Sequence, residues 1–270
     1  MRSQTEKAEA FRGLHARPGA FIIPNPWDAG TAKLLAAMGF EALATTSLGL
    51  ANTLGSATVS LDAILENCRA IAEATDLPVS ADLENCGADD PKVAARAIVR
   101  AAEAGAVGGS IEDFSGDPAK PIYDFSLTVE RVQAAVEAAR ALPFPFTLTA
   151  RAENFLHGRK DLDDTIKRLQ AFEAVGADVL YSPGLYDIET IRAVVSSVGK
   201  PFNLVMGFAD PTLTLPQLAE VGVKRISVGG AMERYALAAF LKCAREMKER
   251  GSFTYVREMA PIAEVRAAFV

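Results

Sequence analysis

The chain has 270 residues, half of them apolar and 23% charged, with a formal net charge of −6. This length is close to the typical size of an eight-fold α/β barrel, and the composition is that of a globular protein. The negative charge argues against a nucleic-acid or anionic-membrane partner, because both need a surplus of Lys and Arg at the contact surface. A small-molecule substrate is therefore expected.

The sequence carries no targeting or disulfide pattern. The N-terminal segment lacks the apolar core of a secretory signal, and no apolar run is long enough to span a bilayer. Cys68, Cys86 and Cys243 are too few and too scattered for a disulfide framework. We therefore expect a cytoplasmic protein with free thiols and one domain over residues 1–270.

Short apolar runs alternate with helix-like segments along the whole chain. Eight runs have the character of strands: 21–24, 42–46, 79–82, 108–112, 146–150, 179–181, 202–205 and 225–228. Each is followed by a segment with helical spacing: 28–38, 61–75, 91–104, 128–141, 163–175, 188–198, 215–221 and 232–249. Several of these segments end in a glycine suited to a left-handed cap, at Gly39, Gly105, Gly176 and Gly222.

Unalternating apolar strands between amphipathic helices are typical of a parallel sheet covered on its outside. Eight consecutive units favour closure into a single-domain (β/α)8 TIM barrel. A doubly wound sheet is the alternative, but the Gly-rich dinucleotide fingerprint after the first strand is missing.

Acidic residues follow the strands at the end where a barrel carries its active site. Asp82 and Glu84 are two residues apart, so on an extended strand end their side chains point the same way. Glu112 comes from the neighbouring strand. Like charges this close repel unless a cation neutralises them, and an all-oxygen set suits Mg2+, with Mn2+ as the alternative. The three acids are therefore predicted to hold a metal.

Other acids near strand ends are interpreted as solvated loop residues or helix N-caps, positions that Asp favours. These are Asp28, Asp90, Asp113 and Asp163.

Two further features suit an anionic substrate. Arg151 follows an apolar run at the level of the acids, where its rigid fork of donors suits either a salt bridge or, as we favour, a substrate anion. The segment from Thr45 to Gly49 offers hydroxyl and backbone N–H donors that suit a carboxylate, although turn chemistry produces the same pattern.

His15 and His157 are the only histidines, and His157 lies in a loop segment where it is either an acid–base group or a solvated side chain. The chain has no GxSxG, HExxH, P-loop or Cys/His zinc pattern, which excludes those nucleophilic and metallohydrolase classes.

These residues resemble the isocitrate lyase/phosphoenolpyruvate mutase superfamily over nearly the whole chain. The resemblance depends on Pro-Asn-Pro-Trp-Asp-Ala-Gly-Thr-Ala, Gly-Phe-Glu-Ala-Leu-Ala-Thr-Thr-Ser, Val-Ser-Ala-Asp-Leu-Glu, Ile-Glu-Asp and Ala-Arg-Ala-Glu taken together. It implies a barrel whose Mg2+ chelates a small 2-oxo or 2-hydroxy acid and stabilises an enolate as a C–C or P–C bond breaks. Asp82 matches the direct metal ligand, and Glu84 and Glu112 match acids that hold metal waters.

The resemblance also assigns the substrate contacts. Arg151 matches an arginine that steadies developing negative charge, and we count it with Glu112 as catalytic. Thr46 and Ser47 fall where the family binds the substrate carboxylate, and we add Leu48, Asp82 and Arg151 to that substrate-binding set. Similar proteins are often tetramers that exchange their last helix, so a homo-oligomer, either dimer or tetramer, is expected, with residues 253–270 packed on a neighbour.

Two departures bear on the activity. Lyases of isocitrate or methylisocitrate carry a catalytic Cys in the loop after the fourth strand, but loop 114–126 has neither Cys nor His; Tyr123 is among its few ionisable residues. Phosphonate-handling members usually have Lys and Asn in that loop, a pattern also missing here.

The leading hypothesis is therefore a Mg2+-dependent C–C lyase or decarboxylase. The alternatives are a phosphonopyruvate or phosphoenolpyruvate mutase or hydrolase, and a non-catalytic barrel that only binds 2-oxo acids.

Overall fold

The structure, a computed structural model, describes residues 2–269 and forms a (β/α)8 barrel. Its strands are all parallel and follow the order β1-β8-β7-β6-β5-β4-β3-β2. They are β1 (Phe21–Ile23), β2 (Leu43–Ala44), β3 (Val79–Ala81), β4 (Gly108–Glu112), β5 (Thr147–Arg151), β6 (Val179–Tyr181), β7 (Phe202–Val205) and β8 (Arg225–Ser227). The backbone N–H of Ala44 donates to the carbonyl of Pro24 at 3.0 Å, which joins β2 to the end of β1.

The predicted barrel is confirmed, and all eight predicted strands are present. Three strands have the predicted bounds, β5 lies one residue later, and the other four are shorter than predicted. The shift of β5 matters, because it makes Arg151 the last residue of the strand, paired in register with Glu112 of β4.

The helices lie outside the strands. They are α1 (Gln4–Ala16), α2 (Ala29–Ala37), α3 (Ser47–Thr53), α4 (Leu61–Glu73), α5 (Pro91–Glu103), α6 (Phe125–Arg140), α7 (Leu162–Ala174), α8 (Ile188–Ser196), α9 (Leu215–Glu220), α10 (Ala231–Arg250) and α11 (Ile262–Ala267), with a 3-10 helix at Thr254–Glu258. The eight predicted helices are all present. The four predicted cap glycines all have positive φ, for example 103° at Gly176, a conformation that strains any residue with a Cβ.

Helix α1 covers the amino-terminal end of the barrel. Phe11 and Leu14 pack there with Phe21, Ile23 and other buried residues. A Cβ on Gly108, the first residue of β4, would lie 2.8 Å from the Phe11 ring, so this close approach requires glycine. The opposite, carboxyl-terminal end remains open and is called the mouth below.

Seven helices, α2 and α4 to α9, bury apolar residues against the strands, whereas α10 buries only Glu233. Residues 231–269, which we call the C-terminal arm, expose several large apolar side chains. Tyr235 is 82% exposed, Phe240 67% and Ile262 63%. Within residues 2–269, no helix combines the length and apolar character needed to cross a membrane.

Candidate active site

A cavity of about 610 Å³ opens at the mouth and continues into the barrel. Asp82, Glu84, Glu112, Arg151 and Glu153 line its upper part. Side chains one layer deeper come from β3, β4, β7 and β8: Ser80, Ser110, Asn203 and Arg225. Because alternate residues of a strand face the same side, each strand that ends at the mouth places a second residue below the first.

A second cavity of about 610 Å³ lies at the amino-terminal end of the barrel. Its one carboxylate, that of Asp178, accepts bonds from Arg140 at 2.6 and 3.1 Å and from the backbone N–H of Leu148 at 2.8 Å. This acid is already neutralised, so the mouth is the better candidate for chemistry.

Asp82 lies just past β3 and is held by four donor or acceptor contacts. Its Oδ2 accepts from the backbone N–H of Ser47 at 3.0 Å and from the Ser47 hydroxyl at 2.8 Å. Its own backbone N–H donates to the hydroxyl of Thr45 at 2.9 Å. Its Oδ1 accepts from Nη1 of Arg151 at 2.9 Å. These contacts fix the orientation of the carboxylate, which lines the cavity.

Arg151 forms ion pairs with three acids at once. Besides Asp82, its Nη1 lies 3.0 Å from Oε2 of Glu112, and its Nε and Nη2 lie 2.8 and 2.7 Å from Oε1 of Glu153. The guanidinium carbon lies 4.9 Å from the ring centroid of Tyr181. Glu153 was not in the predicted site, although the sequence places it two residues after Arg151, a spacing that puts both side chains on one face.

The mouth holds more carboxyl groups than cationic groups. Burial is the main cause that raises the pKa of Glu112 well above its usual value, and it also raises the pKa of Glu84 and Glu153. Burial alone would lower the pKa of Arg151, but Glu112, Glu153 and Asp82 outweigh burial and raise that pKa. One guanidinium therefore balances only part of the charge that Asp82 and these three glutamates would carry when ionised.

The predicted metal ligands share this cavity without forming a ready coordination set. In residues 2–269, no three His, Cys, Asp or Glu side chains converge on one metal position. Nη1 of Arg151 lies between Asp82 and Glu112 instead. The donor chemistry nevertheless fits Mg2+, because this ion prefers carboxylate oxygens, keeps several waters and needs only one or two direct carboxylate ligands.

The loop after β3 carries an uncommon backbone conformation. Glu84 and Cys86 have φ of 52° and 61°, in the left-handed region that L side chains rarely adopt. Arg131, buried on α6, holds this loop by donating to the carbonyls of Asn85, Ala88 and Asp89. Cys86 is fully buried, and burial raises the pKa of its thiol to about 12, so it is not a reactive thiolate.

The three residues predicted to bind a substrate carboxylate differ in their available donors. Thr46 is buried and its hydroxyl accepts from the N–H of Gly49 at 3.3 Å, which caps α3. Both donors of Ser47 are directed to Asp82. The backbone N–H of Leu48 has no hydrogen-bond partner in residues 2–269, and Leu48 lines the cavity. Of this set, Leu48 therefore offers the free donor.

Loop 114–126 is tied to its surroundings. Phe114 and Ile122 form an antiparallel bridge, and Lys120 pairs with Asp124 at 2.6 Å. The Tyr123 hydroxyl donates to the carboxylate of Asp89, outside the cavity lining. Three ionisable groups of the loop are therefore already paired: Lys120 with Asp124, and Tyr123 with Asp89.

His157 lines the cavity and stacks on Phe114, with ring centroids 3.9 Å apart. Its Nε2 lies 3.7 Å from Oε2 of Glu153. Burial lowers the pKa of His157 below its usual value, so the imidazole is neutral at pH 7.

The interpretation of the remaining acids is right for three and wrong for one. Asp28 and Asp90 cap α2 and α5, and Asp163 is exposed in the first turn of α7. Asp113 is fully buried: its Oδ2 lies 3.1 Å from Nη1 of Arg168, and its Oδ1 accepts from the N–H of Glu153 at 2.7 Å. The residue next to Glu112 points to the opposite side, where the barrel meets its helices.

Comparisons with known proteins agree with this architecture. The family model described as phosphoenolpyruvate phosphomutase matches residues 11–248. The chain belongs to this family. The resemblance to the isocitrate lyase/phosphoenolpyruvate mutase superfamily is thereby confirmed.

Three relatives illustrate the range of this family. A crystal structure of a "putative lyase/mutase" from Burkholderia cenocepacia J2315 is 57% identical, with a TM-score of 0.96 over 99% of this chain and 96% of that one. The oxaloacetate decarboxylase of Ectopseudomonas mendocina is 28% identical over 91% of this chain and 86% of its own. The crystal structure of 2,3-dimethylmalate lyase is 25% identical, with a TM-score of 0.85 over 98% and 94%. The chain is thus similar to lyases and decarboxylases as well as to mutases.

Proposed function

We propose that the protein is a Mg2+-dependent lyase or decarboxylase that cleaves a C–C bond of a small 2-oxo or 2-hydroxy carboxylic acid. The observation that carries this proposal is the cluster of Asp82, Glu84, Glu112 and Glu153 around the single guanidinium of Arg151. Buried like charges of this kind need a cation, and a divalent ion supplies it. When bound, Mg2+ would stabilise the negative charge of an enolate oxygen.

Within this proposal, Asp82 would be the direct ligand, and Glu84 and Glu112 would hold waters of the ion. A cation held by these acids would balance charge that Arg151 balances alone, so the guanidinium would then be available for charge that develops on the substrate. The free backbone N–H of Leu48, next to the residue that holds Asp82, suits the substrate carboxylate. Relatives named as an oxaloacetate decarboxylase and a 2,3-dimethylmalate lyase support an acid of this class.

The choice of decarboxylation follows from the lack of a proton donor. Cleavage of isocitrate must deliver a proton to the departing carbanion, and loop 114–126 has no Cys or His for this. The Tyr123 hydroxyl donates a hydrogen bond to Asp89, and burial raises the pKa of Tyr123 to about 12. Loss of CO2 from an oxaloacetate-like acid needs no such donor, because water can protonate the enolate.

The test is pyruvate release from oxaloacetate with Mg2+, measured against the Asp82→Asn variant to remove the background of free metal ions. We expect Mg2+-dependent pyruvate from oxaloacetate or a related 2-oxo diacid, and negligible glyoxylate or pyruvate from isocitrate or methylisocitrate. Glyoxylate release from isocitrate at an ordinary enzymatic rate, roughly 1–10³ s⁻¹, would contradict the proposal.

The match to the phosphoenolpyruvate phosphomutase family supports a second candidate, a C–P bond enzyme acting on phosphonopyruvate. Phosphorus NMR of phosphonopyruvate incubated with the protein and Mg2+ distinguishes it, because only a mutase or hydrolase converts the phosphonate signal. A barrel that only binds 2-oxo acids would instead give ligand-dependent thermal shifts and no product from any substrate.

A further inference from the structure

The layer of side chains below the mouth is polar. The interior of such a barrel is usually filled by bulky branched residues. Here the side chains below the mouth acids include Ser80, Ser110, Thr149, Asn203 and Arg225, all of them buried. Because the two serines are small, the cavity continues down to Arg225 on β8. A buried cation therefore lies in the deeper wall of the cavity.

In the part of the chain that the structure describes, the groups that contact this cation are all neutral. Nε of Arg225 donates to Oδ1 of Asn203 at 2.7 Å, and Nη2 donates to the Thr149 hydroxyl at 3.0 Å. Nη1 lies 3.5 Å from Nε2 of His15. No carboxylate of residues 2–269 lies within ion-pair distance of Arg225. An isolated buried charge is costly, so a group without a counter-ion here calls for an explanation.

His15 accepts a hydrogen bond from Arg225 as a neutral imidazole. Its Nδ1 lies 2.8 Å from the carbonyl of Phe11, and a carbonyl only accepts. The proton is therefore assigned to Nδ1, which leaves Nε2 to accept from Arg225. Burial, together with the charge of Arg225, lowers the pKa of His15 to about 3, so His15 adds no charge of its own at neutral pH.

The deeper cavity also retains free donors. A guanidinium has five N–H groups, and three contacts use one each, so two are left, one on each terminal nitrogen. A carboxylate can accept two such bonds at once. The hydroxyl of Ser110 is buried and has no hydrogen-bond partner within residues 2–269. Together these groups provide a positive charge and three unused donors.

We propose that Arg225 and Ser110 form an anion subsite that binds the second carboxylate of a small diacid, whose first carboxylate lies at the mouth beside Asp82 and Arg151. This inference rests on the proposed function for the position of the first carboxylate. Thr149, which contacts Arg225, is two residues below Arg151 on β5, a drop of about 7 Å along the strand. Diacids of about four or five carbons suit that separation.

The matched ligands for a test are 2-oxoglutarate and 2-oxopentanoate, which have the same number of carbons and differ in one carboxylate. The second carboxylate of 2-oxoglutarate is not β to its ketone, so it does not leave as CO2 during a titration. Oxalate serves as a probe of the mouth alone, because it is too short to reach both ends. Affinities are measured by calorimetry on the full chain with Mg2+, in wild type and in Arg225→Met.

For wild type, we expect 2-oxoglutarate to bind about 10- to 100-fold more tightly than 2-oxopentanoate, the range of a charge-assisted contact. Arg225→Met should abolish that preference and leave the oxalate affinity unchanged within about twofold. A preference that persists in Arg225→Met, or a wild type without one, overturns the subsite.

Two further outcomes are separable. If Arg225→Met does not fold, the Ser110→Val variant provides the test. Its added methyl groups fill the deeper cavity, so 2-oxoglutarate should lose affinity while oxalate does not. Equal affinities for 2-oxoglutarate in wild type and Ser110→Val overturn the proposal. If wild type binds 2-oxoglutarate in preference to 2-oxopentanoate but ignores Mg2+ and oxalate, the subsite stands and the proposed metal chemistry fails.

Discussion

The mouth of the barrel and the C-terminal arm depart from the usual distribution of residues in opposite ways. The mouth buries charge: Glu112 is 6% exposed and Glu153 is 1% exposed. The arm exposes apolar side chains, with Tyr235 82% exposed and Phe240 67% exposed. Charged residues are rarely buried without a partner, and large exposed apolar patches mark interaction sites. We therefore predict a partner for each region: an ion and its ligand at the mouth, and a second copy of the chain at the arm.

The largest effect is expected at Asp82. Asp82→Asn removes a ligand charge without removing a core contact, so we expect metal-dependent activity to be lost while the circular dichroism spectrum is unchanged. Asp163→Asn, at an exposed helix start, is the matched control and should behave as wild type. If Asp82→Asn kept full activity and the wild-type affinity for Mg2+, the metal assignment at the mouth would be refuted.

The arm should be essential for assembly and dispensable for the barrel. We predict that the wild type sediments as a dimer or tetramer, and that Phe240→Glu combined with Ile262→Glu yields smaller species with unchanged secondary structure. Both side chains are largely exposed in the single chain, so the substitutions cost the barrel little. Lys248→Glu, at an exposed position of the same helix, is the control for added negative charge. A wild type that is monomeric at all concentrations would show that the arm needs another explanation.

At Arg151 a smaller and more specific effect is expected. Arg151→Lys keeps the positive charge but loses the planar fork, so it should lower kcat more than it raises KM. Steady-state kinetics on the substrate that gives pyruvate provide the measurement, with the exposed Arg12→Lys as the control. Wild-type kinetics in Arg151→Lys would mean that the ion pairs of Arg151 are only structural.

The smallest effects at the mouth should come from Glu84→Gln and Glu112→Gln. Water-mediated contacts tolerate a neutral acceptor better than direct ligands do, so each variant should weaken Mg2+ binding by about tenfold. Titration of Mg2+ followed by calorimetry compares them with Asp82→Asn. If Glu112→Gln weakened binding as much as Asp82→Asn does, Glu112 would be a direct ligand too.

The barrel could be predicted from the sequence because its signals are local: apolar strands, helical spacing and glycines after helices. Helix α3 was missed because its seven residues span too few turns to show a period. Helix α1 was not predicted because it precedes the first strand, outside the strand–helix alternation that indicates the other helices.

The mouth acids could be predicted from their positions after apolar strands, but their contacts could not. Only the pairing of β4 with β5 brings Arg151 beside Glu112. Arg225 and Asn203 were not predicted because they lie within strands, whereas the pattern that indicates the mouth consists of polar residues after strands. Their signal was a polar residue in an otherwise apolar strand, which is informative only once the inward face is known.

Glu84 has a consequence for how the protein could change under selection. A residue other than glycine in the left-handed region costs roughly 1–2 kcal/mol, which exceeds the roughly 0.5–1 kcal/mol that glycine costs through its freedom in the unfolded chain. Selection for heat resistance alone should thus accept Glu84→Gly, a variant with a higher Tm and weaker Mg2+ binding. At this position, thermal stability favours glycine, whereas metal binding favours a carboxylate.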